Sequence, residues 1–240
     1  MWKKERRPPQ GGAGPAPKPW RKRAIMGILC LLALLLGWKF LQQKTPELPP
    51  QAAEQALYNT FGAAAYRFTT TSTVLLDHEQ RLFCQLNGEI SGANRHIWGE
   101  LLGTPLNLYL VEGALYQQSA LDKSWRRIAD ADLAQARNLV AEIAPESNFA
   151  FEDMGLPAYL GLEDLDGQKL HKVELHPVMA DTWIEQFFTD IVSTLWLDEG
   201  GQYIVRASTQ AVSTENPGVK LVVDNTFSDF NTNIDIKAPL

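Results

Sequence analysis

Four histidines, two cysteines and one acidic cluster are the groups in this 240-residue chain best suited to catalysis or metal binding. His171 and His176 lie five residues apart in a β-prone run. On a strand that spacing points them to opposite faces, so they cannot chelate one metal together. His78 falls in a DHEQ turn, and His78, His96, His171 and His176 all read as solvated or structural histidines. Cys84 alternates with Leu82 and Leu86, the pattern of a buried core thiol and not of a nucleophile. Glu163-Asp164-Leu165-Asp166-Gly167 has part of a calcium loop, but the D-x-D-x-D-G spacing is incomplete and no bidentate glutamate follows. An acidic turn before a strand describes it better. The sequence holds no G-x-S-x-G, no phosphate-binding loop and no dinucleotide fingerprint. The expectation is a non-enzymatic protein with no catalytic residue, metal ligand or cofactor.

The charges are split along the chain. Residues 1–44 hold ten of the 22 basic residues but only one of the 28 acidic ones. The acidic remainder argues against nucleic acid, which needs a basic surface. Within the basic part, 24–38 (AIMGILCLLALLLGW) carries no charge, and extending it to Leu41 gives a helix of about 27 Å, close to a bilayer core of about 30 Å. Lys39 would snorkel to the interface, which Trp38 also suits. Most of the basic residues precede this run, so its N-terminal side is expected in the cytoplasm. A cleaved signal peptide is the rival reading. The long basic region and the absence of a small-x-small cleavage site favour an uncleaved anchor. The expected organisation is a disordered basic cytoplasmic tail (1–23), a transmembrane signal-anchor helix (24–41), a linker (42–50) and one extracytoplasmic domain (51–240). The chain would then sit in the plasma membrane as a single-pass protein. Cys30 lies in the apolar run and cannot pair with Cys84, so no intramolecular disulfide is expected.

In the acidic part, Pro49 and Pro50 open a helix with Ala53, Leu57, Phe61 and Ala64 on one face. From Tyr66 the period becomes two. Tyr66 to Leu76 and Leu82 to Ile90 read as a long antiparallel hairpin with one polar face. Strands follow at 95–102, 106–111, 115–119 and 125–128, then a helix over 132–143. Lys169–Leu175 resembles a strand. A second helix starts at the capping box Thr182-x-x-Glu185, with a stripe running from Trp183 to Leu195. Strands at 194–198, 203–214 and 221–230 and a tail around 234–236 close the chain. The expected fold is α+β: one large curved antiparallel sheet with two or three helices on its concave face.

The succession of helix, long hairpin, VEGALYQQS, short loop, SWRRI and a last strand ending TFSDFNTNIDIKAPL resembles the bacterial lipoprotein-carrier superfamily, with its LolA-like and LppX-like members. Gly113, Tyr116 and Trp125 carry one element of the likeness; Phe227, Phe230, Ile234, Ile236 and Pro239 carry the other. The resemblance implies an incomplete antiparallel barrel whose cavity binds lipid or lipoprotein acyl chains. The expected anchor departs from the soluble carriers, because a tethered domain cannot leave its membrane.

The aromatic residues either fill the core between sheet and helices or line a residual apolar cavity. In the second case the expected lining is Phe68, Trp98, Leu108, Tyr116, Trp125, Phe149, Trp183, Phe187 and Trp196. The leading functional reading is a membrane-tethered binding module for lipid or lipoprotein acyl chains. The alternative is an envelope protein-interaction or stress-sensing module with a filled core and no ligand.

Overall fold

The computed structural model describes residues 48–49, 51–76, 79–180 and 183–240, and the side chain of Trp183 is outside that description. The expected basic tail, transmembrane helix and most of the linker lie outside the described residues, as do Cys30, His78 and Thr182. Among the described residues no helix is long and apolar enough to cross a membrane.

The Ala-rich segment after Pro49 forms helix α1 (Ala52–Phe61), which buries Ala52, Ala53 and Ala56. These small side chains let the helix lie close to the sheet. Its last turn is tied down by Thr60, whose hydroxyl accepts the Ile204 N–H at 2.9 Å. The helix ends at Gly62, so Ala64 lies beyond it.

The period-two region then gives six strands in sequence: β1 (Ala65–Leu76), β2 (Glu79–Ser91), β3 (Asn94–Leu101), β4 (Thr104–Val111), β5 (Ala114–Gln118) and β6 (Trp125–Arg127). Helix α2 (Asp130–Ile143) and a 3-10 turn (Pro145–Phe149) follow. Next come β7 (Phe151–Asp153), β8 (Ala158–Leu165), β9 (Gln168–Leu175), β10 (Val178–Met179), α3 (Trp183–Phe187), β11 (Phe188–Leu197), β12 (Ile204–Ser213) and β13 (Val219–Ser228).

Eleven strands make one antiparallel sheet in the order β6-β5-β4-β3-β2-β1-β13-β12-β11-β9-β8, and β10 and β7 pair separately. The last strand thus lies beside the first: Thr70 faces Asn225 and Val74 faces Leu221. The large sheet is not closed, since β6 and β8 are free edges. Eleven strands laid flat would span about 48 Å. Yet one face of nine of them contributes to a single apolar cluster that includes Phe68, Leu86, Ile97, Leu108, Leu195 and Phe227. A face can converge in that way only if the sheet curls around it. The α+β architecture with three helices is as expected.

One expected element is overturned. The stripe from Trp183 to Leu195 is not a helix: α3 stops at Phe187 and the chain enters β11 at Phe188. Thr189, Ile191, Val192 and Thr194 are β-branched and stiff at χ1, which favours a pleated surface. The strand also pairs on both sides, with β12 and with β9. An irregularity at Asp190, which has φ 50°, resets the register between Thr189 and Val192. β7, β8 and β10 are further strands beyond the expected set. The acidic cluster closes the β8–β9 hairpin, where the Asp164 carboxylate accepts the Gly167 N–H at 3.0 Å. Its oxygen serves the turn. The tail around Ile234 and Ile236 is not a strand but packs as an apolar strap on Ala65, Val111 and Tyr109.

Candidate functional site

Because neighbours along a strand point to opposite faces, pairing register assigns every side chain to a side. On the covered side, Phe68 faces Gly88, which faces Ile97, which faces Leu108. Gly88 is required there: a Cβ would sit 2.2 Å from the Phe68 ring. Phe61, Phe149 and Phe227 form a ring cluster with centroids 5.1–6.0 Å apart. This is a filled core beneath α1 and the 3-10 turn.

Further along the same face, towards the β3–β4 turn, the core is not filled. A hollow of about 340 Å³ lies between the sheet and α2. Phe83, Leu86, Leu101, Leu139, Ile143 and Val223 give it an apolar wall, and Thr70, Ser72, Cys84, Asn148 and, on α2, Glu142 also line it. Its depth is set by Leu86 and Val223, both 1% exposed; its mouth by Leu102 at 66% and Leu139 at 42%. Burial raises the Cys84 thiol pKa above its ordinary value, which makes it a slowly reacting wall residue and not a nucleophile poised for catalysis.

The roof is thin. Of the 14 residues of α2 only Val140 is buried. The helix is held from its polar side, where Arg137 donates to the Gly113 carbonyl at 2.5 Å, and just past its end by the Arg95–Glu146 ion pair at 2.8 Å. A helix that leaves Leu139 in water has an unspent apolar stripe, and that stripe adjoins the hollow.

Of the nine residues expected to line one cavity, the eight whose side chains are described do not come together. Phe68, Leu108 and Phe149 lie in the filled core. Trp98, Tyr116 and Trp125 fall on the opposite face of the sheet, since Trp98 faces Asn107, Tyr116 faces Tyr109, and Trp125 faces Gln118. Trp196 is on that outer face as well. Its indole N–H donates to Glu163 at 2.9 Å, and Lys172 and Arg206 stand over its ring. Phe187 ends α3 and is exposed. Trp183 belongs to α3, but its side chain lies outside the described residues. The hollow's apolar lining is aliphatic except for Phe83, which was not among the nine, so a search for the other aromatic residues overlooked it. The sequence signal for it was the apolar pair Leu101-Leu102 beside a turn, next to a helix too polar to be buried.

The outer face has its own cluster. His96 is stacked between Trp98, at 4.3 Å, and Tyr109, at 3.8 Å, and its Nε2 hydrogen-bonds with the Asn107 carboxamide at 3.0 Å. Burial between the two rings lowers its pKa, against the pull of the Asn107 bond and the Glu89 carboxylate. A histidine held below its ordinary value is neutral in the fold and binds a proton more readily unfolded. Stability is therefore complete above the unfolded pKa of about 6.5 and falls as the pH drops through it. Urea melts at pH 7.5 and pH 5.5 should show that loss, and His96→Gln should reduce it; an unchanged pH dependence in the variant would mean other groups set it. Among the described residues no group of three or more metal-binding side chains comes together.

A large open antiparallel sheet whose concave face carries helices over an apolar hollow defines the lipoprotein-carrier type of fold. One solved structure agrees in fold, and two others are more distantly similar. The lipoprotein LppX of Mycobacterium tuberculosis superposes with a TM-score of 0.51 at 12% identity, over 78% of this chain and 96% of that one. LprF of Mycobacterium bovis gives 0.49 at 15% identity, over 79% and 96%, and a LolA superfamily protein of Nitrosomonas europaea gives 0.33 at 12%, over 78% and 95%. No protein-family model matches the sequence, and no curated protein matches it. The chain thus has the LppX-like fold that its sequence resembles, at an identity that speaks for fold alone.

Proposed function

We propose that this chain is a membrane-tethered, extracytoplasmic module that binds lipid or lipoprotein acyl chains and catalyses nothing. The observation that carries this reading is the largely apolar hollow under a thinly seated helix. Its volume of about 340 Å³ falls in the range of about 300–1,000 Å³ typical of small-molecule pockets. An aliphatic wall suits a chain of methylenes, each worth about 0.8 kcal/mol when removed from water. The tether follows from the uncharged run at 24–38 and its basic flank. It would hold the hollow at high effective concentration beside the bilayer.

The test is native mass spectrometry of the full chain. On this reading the protein is recovered from detergent-solubilised membranes and carries an adduct of lipid mass that is lost on denaturation. Recovery in the soluble fraction would end the tethered reading. A bare chain that also refuses a fluorescent fatty acid would end the lipid reading. A protein-interaction role would then take its place, and the observation favouring it is the free edge strand β8, which exposes Leu160 and Leu162.

A further inference from the structure

The inner end of the hollow is not wholly apolar. Ser72, 3% exposed, lines it, and its hydroxyl has no hydrogen-bond partner. Of the other polar lining groups, Glu142 belongs to α2 and Asn148 to the 3-10 turn, and those on the sheet are engaged. Thr70 donates to the Asn225 side-chain carbonyl at 2.7 Å, and the Cys84 thiol is engaged with the Ser72 backbone. Asn225 sits on β13 opposite Thr70, one diagonal step from Ser72, and its amide nitrogen is also buried without a partner. One unpaired hydroxyl, that of Ser72, thus lines the hollow, and the second unpaired group belongs to a fully buried residue outside that lining.

Leaving a buried hydroxyl unpaired costs the fold its full desolvation penalty, whereas alanine or valine at position 72 would carry no such cost. A saturated chain offers the hydroxyl nothing. An alcohol or carbonyl oxygen offers Ser72 an acceptor, and an alcohol can also donate to Ser72 Oγ.

Resting on the acyl-chain reading above, we infer that the ligand is an oxygenated acyl lipid, one carrying a hydroxyl, keto or ester oxygen in the part of the chain that reaches Ser72. The site discriminates by the rule that a buried polar group rejects an analogue lacking its partner. The mouth at Leu102 and Leu139 accepts any aliphatic chain, and Ser72 selects among those that enter.

The test uses the full chain with Cys30→Ser, so that Cys84 in the cavity wall is the only thiol. Protection of Cys84 from N-ethylmaleimide, read by intact mass, then reports occupancy of this hollow and not of the surrounding membrane mimic. Hexadecanoic acid is compared with 16-hydroxyhexadecanoic acid, and octadecanoic acid with 12-hydroxyoctadecanoic acid. At least one hydroxylated probe should protect at about five-fold lower concentration than its saturated partner, as one net hydrogen bond allows. Ser72→Ala should erase that preference, so that each hydroxylated probe protects at the same concentration as its saturated partner. Equal protection within both pairs, or a preference that survives Ser72→Ala, overturns the inference while the acyl-chain reading stands. If no probe slows alkylation, both fall.

Discussion

Gly99→Ala should destabilise the fold by about 3 kcal/mol or more, a large loss for one methyl group. Gly99 stands at φ 143°, and a Cβ built there would lie 2.1 Å from the Gln85 carbonyl oxygen and 3.0 Å from the Leu86 Cα. Both obstacles are backbone of the paired strand β2, so neither can rotate away. The clash can be relieved only by separating β2 from β3, beside the wall that carries Leu86 and Leu101. Gly92→Ala is the control. It also occupies a positive φ, 58°, but nothing lies within 4 Å of its added carbon, so it should lose only the left-handed penalty of about 1–2 kcal/mol. Urea melts of the two variants separate the contributions. Equal losses would show that the β2–β3 contact is softer than its geometry states.

Cys84→Phe is expected to abolish acyl-chain uptake, weakening a fluorescent fatty acid at least about tenfold, with little loss of stability. The thiol points into the hollow, and a phenyl ring there occupies space that the fold leaves unfilled. Elsewhere on this face the outcome differs. In the ring cluster of Phe61, Phe149 and Phe227, added volume has nowhere to go, and overpacking costs about 1–3 kcal/mol. Binding and thermal melting are measured on the same variant. Uptake that survives the substitution would place the ligand elsewhere. A fall in Tm of several degrees would mean that the hollow is already packed.

The elements were legible where local period and turn chemistry agreed. The hairpin of β1 and β2 follows from alternation of Tyr66, Phe68 and Thr70 against Leu86 and Ile90, and the register pairs these residues as alternation requires. Helix α2 is found over nearly the expected residues, because Leu133, Ala136, Leu139 and Val140 recur with helical spacing. The run from Trp183 to Leu195 misled because broad apolarity satisfies both periods. Its β-branched residues and two neighbouring strands decided for β11, and only the second of those facts is non-local.

By itself the sequence determined the class of fold and the two faces of the strands whose period is plain, such as β1 and β2, and it carries no local catalytic or metal-binding motif. It could not say which face would be covered. Ile97 and Trp98 are adjacent and both apolar, so period two separates them without ranking them. The curl of the sheet decided: it drew Ile97 inside with Leu108 and left Trp98 outside, stacked on His96. The hollow belongs to the same category. A cavity is a mismatch of volumes between elements far apart in the chain, here β1, β2, β3, β13 and α2, and no local pattern records it. Only tertiary structure, by setting how far α2 stands from the sheet, opened that space and placed the free hydroxyl of Ser72 at its floor.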